Sequence, residues 1–349
     1  MPDAFGRALT IIRVLASFRA TDSNATPTPD NVPLTQHLFN SPSADVILRS
    51  SDNVDFRAHK IILAEASSIL EAIFSLPQPT SATSASVSTP NSDANYLIEE
   101  GLPIVPFPEN SRTLNALLGI LYPGKGARDM DISLAADVLV AADKYSFLGV
   151  VTQMEVILSQ SRLIEENPMR LYALARRYDM PELAKKSAKE TLLHPFPGPH
   201  IAEFKDVPAT ALYDLFTYRN KCIQLLETLL VNPSANVWET DQCPIPRYGF
   251  RAYYNQGFTM QCGNNGHVRT VEINDFLHLV KREYALRVSG STLKSSSLWD
   301  SCISRLYSCA FCMSTIAPQL LEFNDRLAAI LDAQISQASL LSGHHRVTH

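Results

Sequence analysis

The first 221 residues of this 349-residue chain contain no cysteine, and all six cysteines follow position 220. Usage this uneven builds no disulfide scaffold, and it makes the reducing cytoplasm or nucleus the default compartment. No apolar run is long enough to span a bilayer. Charged residues make up 19% of the chain, the net charge is -5, and no basic stripe stands out. That argues against direct binding of nucleic acid. The motifs that frame hydrolytic sites, G-x-S-x-G and H-E-x-x-H, are missing. Gly124-Lys125-Gly126 lacks the first glycine of a P-loop and the Ser or Thr after its lysine, so it reads as a turn. What is present is 46% hydrophobic residues, enough to bury a sizeable core, at a length that suits two or three domains.

The stretch from Asp45 to Leu76 organises the rest. Val46-Ile47-Leu48 is a short β-rich run, and Ser50-Ser51-Asp52-Asn53 is a turn cluster. Val54, Phe56 and Ala58 then alternate with Asp55, Arg57 and His59, the two-residue period of a half-buried strand. Together these predict a hairpin. From Ile61 the period changes, with Ile62, Ala66, Ile69, Leu70 and Ile73 at helical spacing. Ser68-Ile69-Leu70-Glu71 has the form of a capping box and predicts that a second helix starts there.

This stretch resembles the BTB/POZ domain. The matching residues are Asp45-Val46-Ile47-Leu48, Phe56-Arg57-Ala58-His59-Lys60, Leu63, Ser67 and Phe74, with Leu117 to Gly124 similar to the family's L-x-x-L-Y-T-G helix end. The resemblance implies an α+β fold over residues 34–160, a small sheet flanked by helices. It also implies that Asp45 and Lys60 line a charged pocket at a dimer interface. The residues themselves make His59 a hydrogen-bonder at the strand-to-helix junction.

Residues 1–33 form an N-terminal segment. Phe5 to Ala20 is basic and amphipathic through Arg7, Arg13 and Arg19, and fits either a helix packed on the domain or a partner, or a mitochondrial transit peptide. Thr21 to Pro33 reads as a linker. Residues 77–95 are low in complexity, lack apolar anchors, and read as a disordered insertion. Leu102 to Phe107 is a returning strand whose prolines place it at an edge or bulge. Residues 161–349 read as an all-α region. Its first helix pairs, opened by Asn167-Pro168, resemble the BACK extension that follows many BTB domains, and the whole resembles a type common among filamentous fungi. Asn232 to Gly266 gives no clear periodicity.

Cys309-Ala310-Phe311-Cys312 places two thiols one helical turn apart. A structural zinc site would combine them with two of Cys243, Cys262 and His267. The competing reading is a buried apolar stripe through Trp299, Cys302, Leu306, Cys309 and Met313, where free cysteine packs as a small hydrophobe.

The resemblance implies a non-enzymatic interaction protein that forms homo- or hetero-oligomers, homodimers above all, with no nucleic-acid or membrane partner. Its finer branches are a substrate adaptor for a cullin-type ubiquitin ligase and a transcription-linked scaffold. A thiol-dependent enzyme in the C-terminal half is the rival class. The hydrophobic-x-Glu motif of cullin-binding relatives is replaced after Phe74 by the Ser/Thr insertion, while Phe107-Pro108-Glu109 has its letters one strand later. No kelch repeat, MATH-like segment or zinc-finger array supplies a partner domain.

Overall fold

The structure, a computed structural model, describes residues 39–76, 97–99, 101–122, 130–231, 251–253, 257–261, 268–269, 273–295, 298, 300, 314, 317–338 and 340. The chain divides into two compact units. One is Met1–Leu163 with Tyr178–Leu183, and the other is Ile164–Arg177 with Ala184–His349.

In the first unit, β1 (Val46–Arg49) and β2 (Asp55–Ala58) form the hairpin, in register Val46 to Ala58 and Leu48 to Phe56. The turn is built by side chains. Ser50 accepts from the Val54 N–H at 2.9 Å, and Asn53 takes the left-handed conformation that asparagine tolerates, at φ 61°. Alternation puts Phe56 and Ala58 inside, where both are buried. Next come α1 (Lys60–Ala66), α2 (Ser68–Ser75), β3 (Leu97–Glu99) and β4 (Leu102–Pro106). The sheet order is β2-β1-β4-β3, with β1 and β4 parallel and the other pairs antiparallel. Arg49 crosses it, donating to both Asp55 carboxylate oxygens at 2.6 and 2.7 Å and to Glu99 at 2.5 Å.

Helices α3 (Ser111–Leu121), α4 (Ile132–Lys144) and α5 (Leu148–Ser159) complete this unit. Asn110 caps α3 by accepting from Thr113 N–H, and Asp131 caps α4 by accepting from Leu134 N–H, both at 2.8 Å. Asp52, in the hairpin turn, accepts from the Ser111 N–H and hydroxyl at 2.7 and 2.6 Å and so fixes the turn to the start of α3.

The second unit is helical in its body. A short α6 (Leu163–Glu166) leads across the boundary into α7 (Pro168–Arg177). Then come α8 (Pro181–Thr191), a 3-10 turn over Ala202–Asp206, and α9 (Ala209–Val231). Pro168 opens α7, where its missing N–H costs nothing. Beyond lie β5 (Arg251–Tyr253), β6 (Gly257–Gln261), β7 (Val268–Arg269), α10 (Ile273–Leu286), α11 (Gly290–Leu293) and α12 (Ala317–Gln337). Buried Arg219 on α9 ties this unit together. It donates to the carbonyls of Thr191, Ala285 and Leu286, at the C-terminal ends of α8 and α10, where helix dipoles favour a cation.

Three sequence expectations need correction. The cap of α2 is Ser67, one residue earlier than the Ser68 box; its hydroxyl accepts from Leu70 N–H at 3.0 Å and donates to the Tyr145 carbonyl at 2.6 Å, a tertiary bond that selects it. The proline-containing β4 is an interior strand rather than an edge. Pro103 pairs only with the three-residue β3, and Pro106 sits past the end of β3, so neither interrupts a long ladder. The C-terminal region has the expected helical body but also an antiparallel β5-β6-β7 meander, whose first two strands fall in the stretch that carried no clear periodicity.

Candidate functional site

The junction between β2 and α1 brings Asp45, His59 and Lys60 together, and it does so through backbone as much as side chain. The hairpin register bonds Asp45 N–H to the Ala58 carbonyl. That sets the Asp45 carboxylate over the first turn of α1, where it accepts from Lys60 N–H at 2.7 Å. His59 is the N-cap residue of α1 but makes no side-chain cap, so Asp45 takes that task from a neighbouring strand end. Asp45 is exposed, and His59 and Lys60 are half-buried. The next residue, Ile61, is 70% exposed, a large aliphatic side chain beside a polar cluster.

His59 is held on three sides. Its N–H donates to the Tyr122 hydroxyl at 2.8 Å, its Nδ1 lies 3.4 Å from the same oxygen, and its Nε2 lies 3.0 Å from Ser43 Oγ. A neutral ring protonated on Nε2 satisfies both ring contacts, with Tyr122 donating to Nδ1 and Nε2–H donating to Ser43. Ser43 Oγ is in turn 2.8 Å from Ser41 Oγ. Tyr122 is buried and stacks edge-on against Phe39 at 5.5 Å. Burial pushes its phenol above the ordinary value; the His59 N–H works against that, and the Asp45 charge adds to it.

Sequence reasoning placed Asp45, His59 and Lys60 here but missed Ser41, Ser43 and Tyr122. Tyr122 was visible as part of the Leu117–Gly124 helix end, and no pattern marked the two serines. That signal does not say that a chain of hydroxyls converges on His59.

Phe107-Pro108-Glu109 is an internal clasp. Phe107 is buried and packs on Tyr145 with ring centroids 4.7 Å apart. Glu109 has 12% of its side chain exposed; it accepts from Lys144 Nζ and from the Tyr145 hydroxyl, both at 2.9 Å. Its carbonyl also accepts from Ser51 N–H.

The proposed zinc ligands Cys243, Cys262, His267, Cys309 and Cys312 all lie outside the described residues. Among the described residues no group of three or more His, Cys, Asp or Glu could hold a metal ion. Cys222, which is described, is buried beneath Tyr218 and Tyr284; burial pushes its thiol up to about 11. Among the described residues no helix is long and apolar enough to cross a membrane.

The family comparison falls on the unit that holds this site. Residues 35–162 match the model of the BTB/POZ domain. The chain is also similar to TD and POZ domain-containing protein 5 of Mus musculus, 27% identical over 158 residues, or 45% of this chain and 40% of the relative. The chain thus spans well under half the length of that relative. The hairpin, the helical hairpin after it, the returning strand and the three helices beyond all fall within the matched residues: residues 35–162 are a BTB/POZ domain.

Proposed function

We propose that this protein is an interaction module rather than an enzyme, and that its BTB/POZ domain self-associates through the β2–α1 junction. BTB/POZ domains are generally protein-interaction modules, and the observation that carries this reading is the surface around Lys60. Ile61 is 70% exposed at the start of α1, directly after Lys60, whose backbone N–H bonds the Asp45 carboxylate. An exposed aliphatic at a junction that also carries an acidic and a basic residue suits an isologous contact, where apolar burial supplies affinity and charge sets register. The helical C-terminal half would serve as a scaffold.

The finer branches are a substrate adaptor for a cullin-type ubiquitin ligase and a transcription-linked scaffold. The clasped geometry of Phe107 and Glu109 speaks against that motif as a cullin contact, so such a scaffold would have to dock elsewhere.

Two variants separate the interface from the cap. Asp45→Asn keeps an oxygen to accept from Lys60 N–H but removes the charge, and Lys60→Met keeps the aliphatic stem. Both should leave the melting temperature close to wild type and weaken recovery of an untagged copy with a tagged one. The double variant should fall short of the sum of the two. Unchanged recovery in both single variants would overturn the role of this face.

A further inference from the structure

We infer that Ser41 is a phosphorylation site that controls the β2–α1 face, a proposal that rests on the self-association reading above. Ser41 is followed by Pro42, the dipeptide that proline-directed protein kinases accept, and it stands at the entry to β1. The Ala44 N–H bonds the Ser41 carbonyl at 3.2 Å, closing a turn with proline at its second position. Pro42 and Ser43 are exposed on that turn.

The chain's other Ser/Thr-Pro pairs, at Thr26, Thr28 and Thr89, lie outside the described residues, whereas Ser41 lies within them. Its Oγ is the end of the hydrogen-bond chain that runs from Tyr122 through His59 and Ser43. In the tautomer that satisfies both ring contacts, Tyr122 donates to His59 and His59 to Ser43, which leaves the Ser43 hydroxyl proton free to donate to Ser41. The Ser43 N–H also points there, at 3.4 Å. A group of acceptors at this position meets donors already in place.

The chemistry is an ordinary phosphoryl transfer. The Ser41 oxygen forms a bond to the γ-phosphorus of ATP, the bond to the leaving ADP breaks, and the hydroxyl proton passes to the kinase's base. The product carries about -1.5 to -2 charges and three acceptor oxygens. These take the Ser43 hydroxyl and N–H, the donors that now meet the Ser41 oxygen. Across an isologous interface the same group appears on both copies, beside Asp45 of each, so like charge accumulates where the two surfaces meet. The modified chain separates.

The experiment treats the full-length protein with a proline-directed kinase and ATP, maps phosphate by peptide mass spectrometry, and uses Ser41→Ala as the control. Phosphate on Ser41, with self-association weakened by about tenfold or more relative to the treated Ser41→Ala chain, is the expected result. A second readout does not depend on association: the NMR resonances of the Ser43 amide and the His59 ring should shift in the phosphorylated chain and not in Ser41→Ala. Phosphate on Thr26, Thr28 or Thr89 with none on Ser41 would overturn the site. A phosphorylated Ser41 that moves neither His59 nor the association would overturn the control. A wild-type chain that never associates removes the interface reading and the regulation with it, while the mapping and the His59 ring resonances still decide whether Ser41 is modified and coupled to the ring.

Discussion

Glu109 distinguishes an internal clasp from an exposed recognition motif, because the two roles predict opposite phenotypes. Replacing it with alanine removes the acceptor of the Tyr145 hydroxyl, and Tyr145 is only 1% exposed. A buried hydroxyl left without a partner costs about 1–3 kcal/mol. The second loss is the ion pair with Lys144, whose side chain is 27% exposed and regains water, so this part is worth at most about 1 kcal/mol. Glu109→Ala should therefore destabilise the first unit by about 1–4 kcal/mol. Tyr145→Phe removes the hydroxyl together with its need for a partner and should cost about 1 kcal/mol. The double variant should cost less than the two single changes added, because no stranded hydroxyl remains. Since the chain has two units, a single global transition is the wrong assay. Urea titration followed by hydrogen-exchange mass spectrometry reads α4 peptides separately from α9 peptides. If Glu109→Ala leaves α4 protection at wild-type level and instead abolishes capture of a partner, the clasp is refuted and the motif is a recognition surface.

Other consequences follow from single sites. A Cβ on Gly290 would collide with the Ala328 carbonyl of α12, which is backbone, and with the Asp332 carboxylate; Gly290→Ala should cost about 1–3 kcal/mol or more in the second unit alone, read by the same exchange assay. For Asp52, burial pushes the carboxyl up, but hydrogen bonds from the hydroxyls of Ser111 and Ser50 and from backbone N–H groups outweigh it and hold the group below its ordinary value. Its contribution is therefore present above the unfolded value of about 4 and lost as pH falls through the folded one. Urea midpoints of the first unit, read on α3 peptides by the same exchange assay across that acid range, should fall less steeply for Asp52→Asn than for wild type. If Cys309 and Cys312 hold structural zinc with two of Cys243, Cys262 and His267, plasma-emission analysis of purified protein finds near one equivalent, and less than about a tenth ends the idea.

The hairpin and the helices after it were legible because burial there follows simple periods. Phe56 and Ala58 alternate along β2, while Leu114, Leu117 and Leu118 recur at helical spacing along α3, and all are buried. What stayed hidden depended on contacts between residues distant in sequence. Ser67 outcompetes Ser68 as a cap because the Tyr145 carbonyl, 78 residues on, takes its hydroxyl proton. Arg219 looks like an ordinary surface arginine until three carbonyls from two helix ends converge on it. At the candidate site, Asp45 and Lys60 were found through resemblance, but the bond between them runs to the Lys60 backbone, which side-chain type alone does not predict. Tyr122 contacts His59 across 63 residues of sequence, a pairing that only the fold reveals.

Sedimentation velocity of the intact wild-type protein, at concentrations rising through tens of micromolar, tests the central claim most directly. Self-association through the β2–α1 face predicts a boundary that shifts to the mass of two chains as concentration rises. Ile61→Glu, which places a charge at the exposed centre of that face, should hold the chain at the mass of one. A wild-type protein that sediments as a single chain throughout the range contradicts the account.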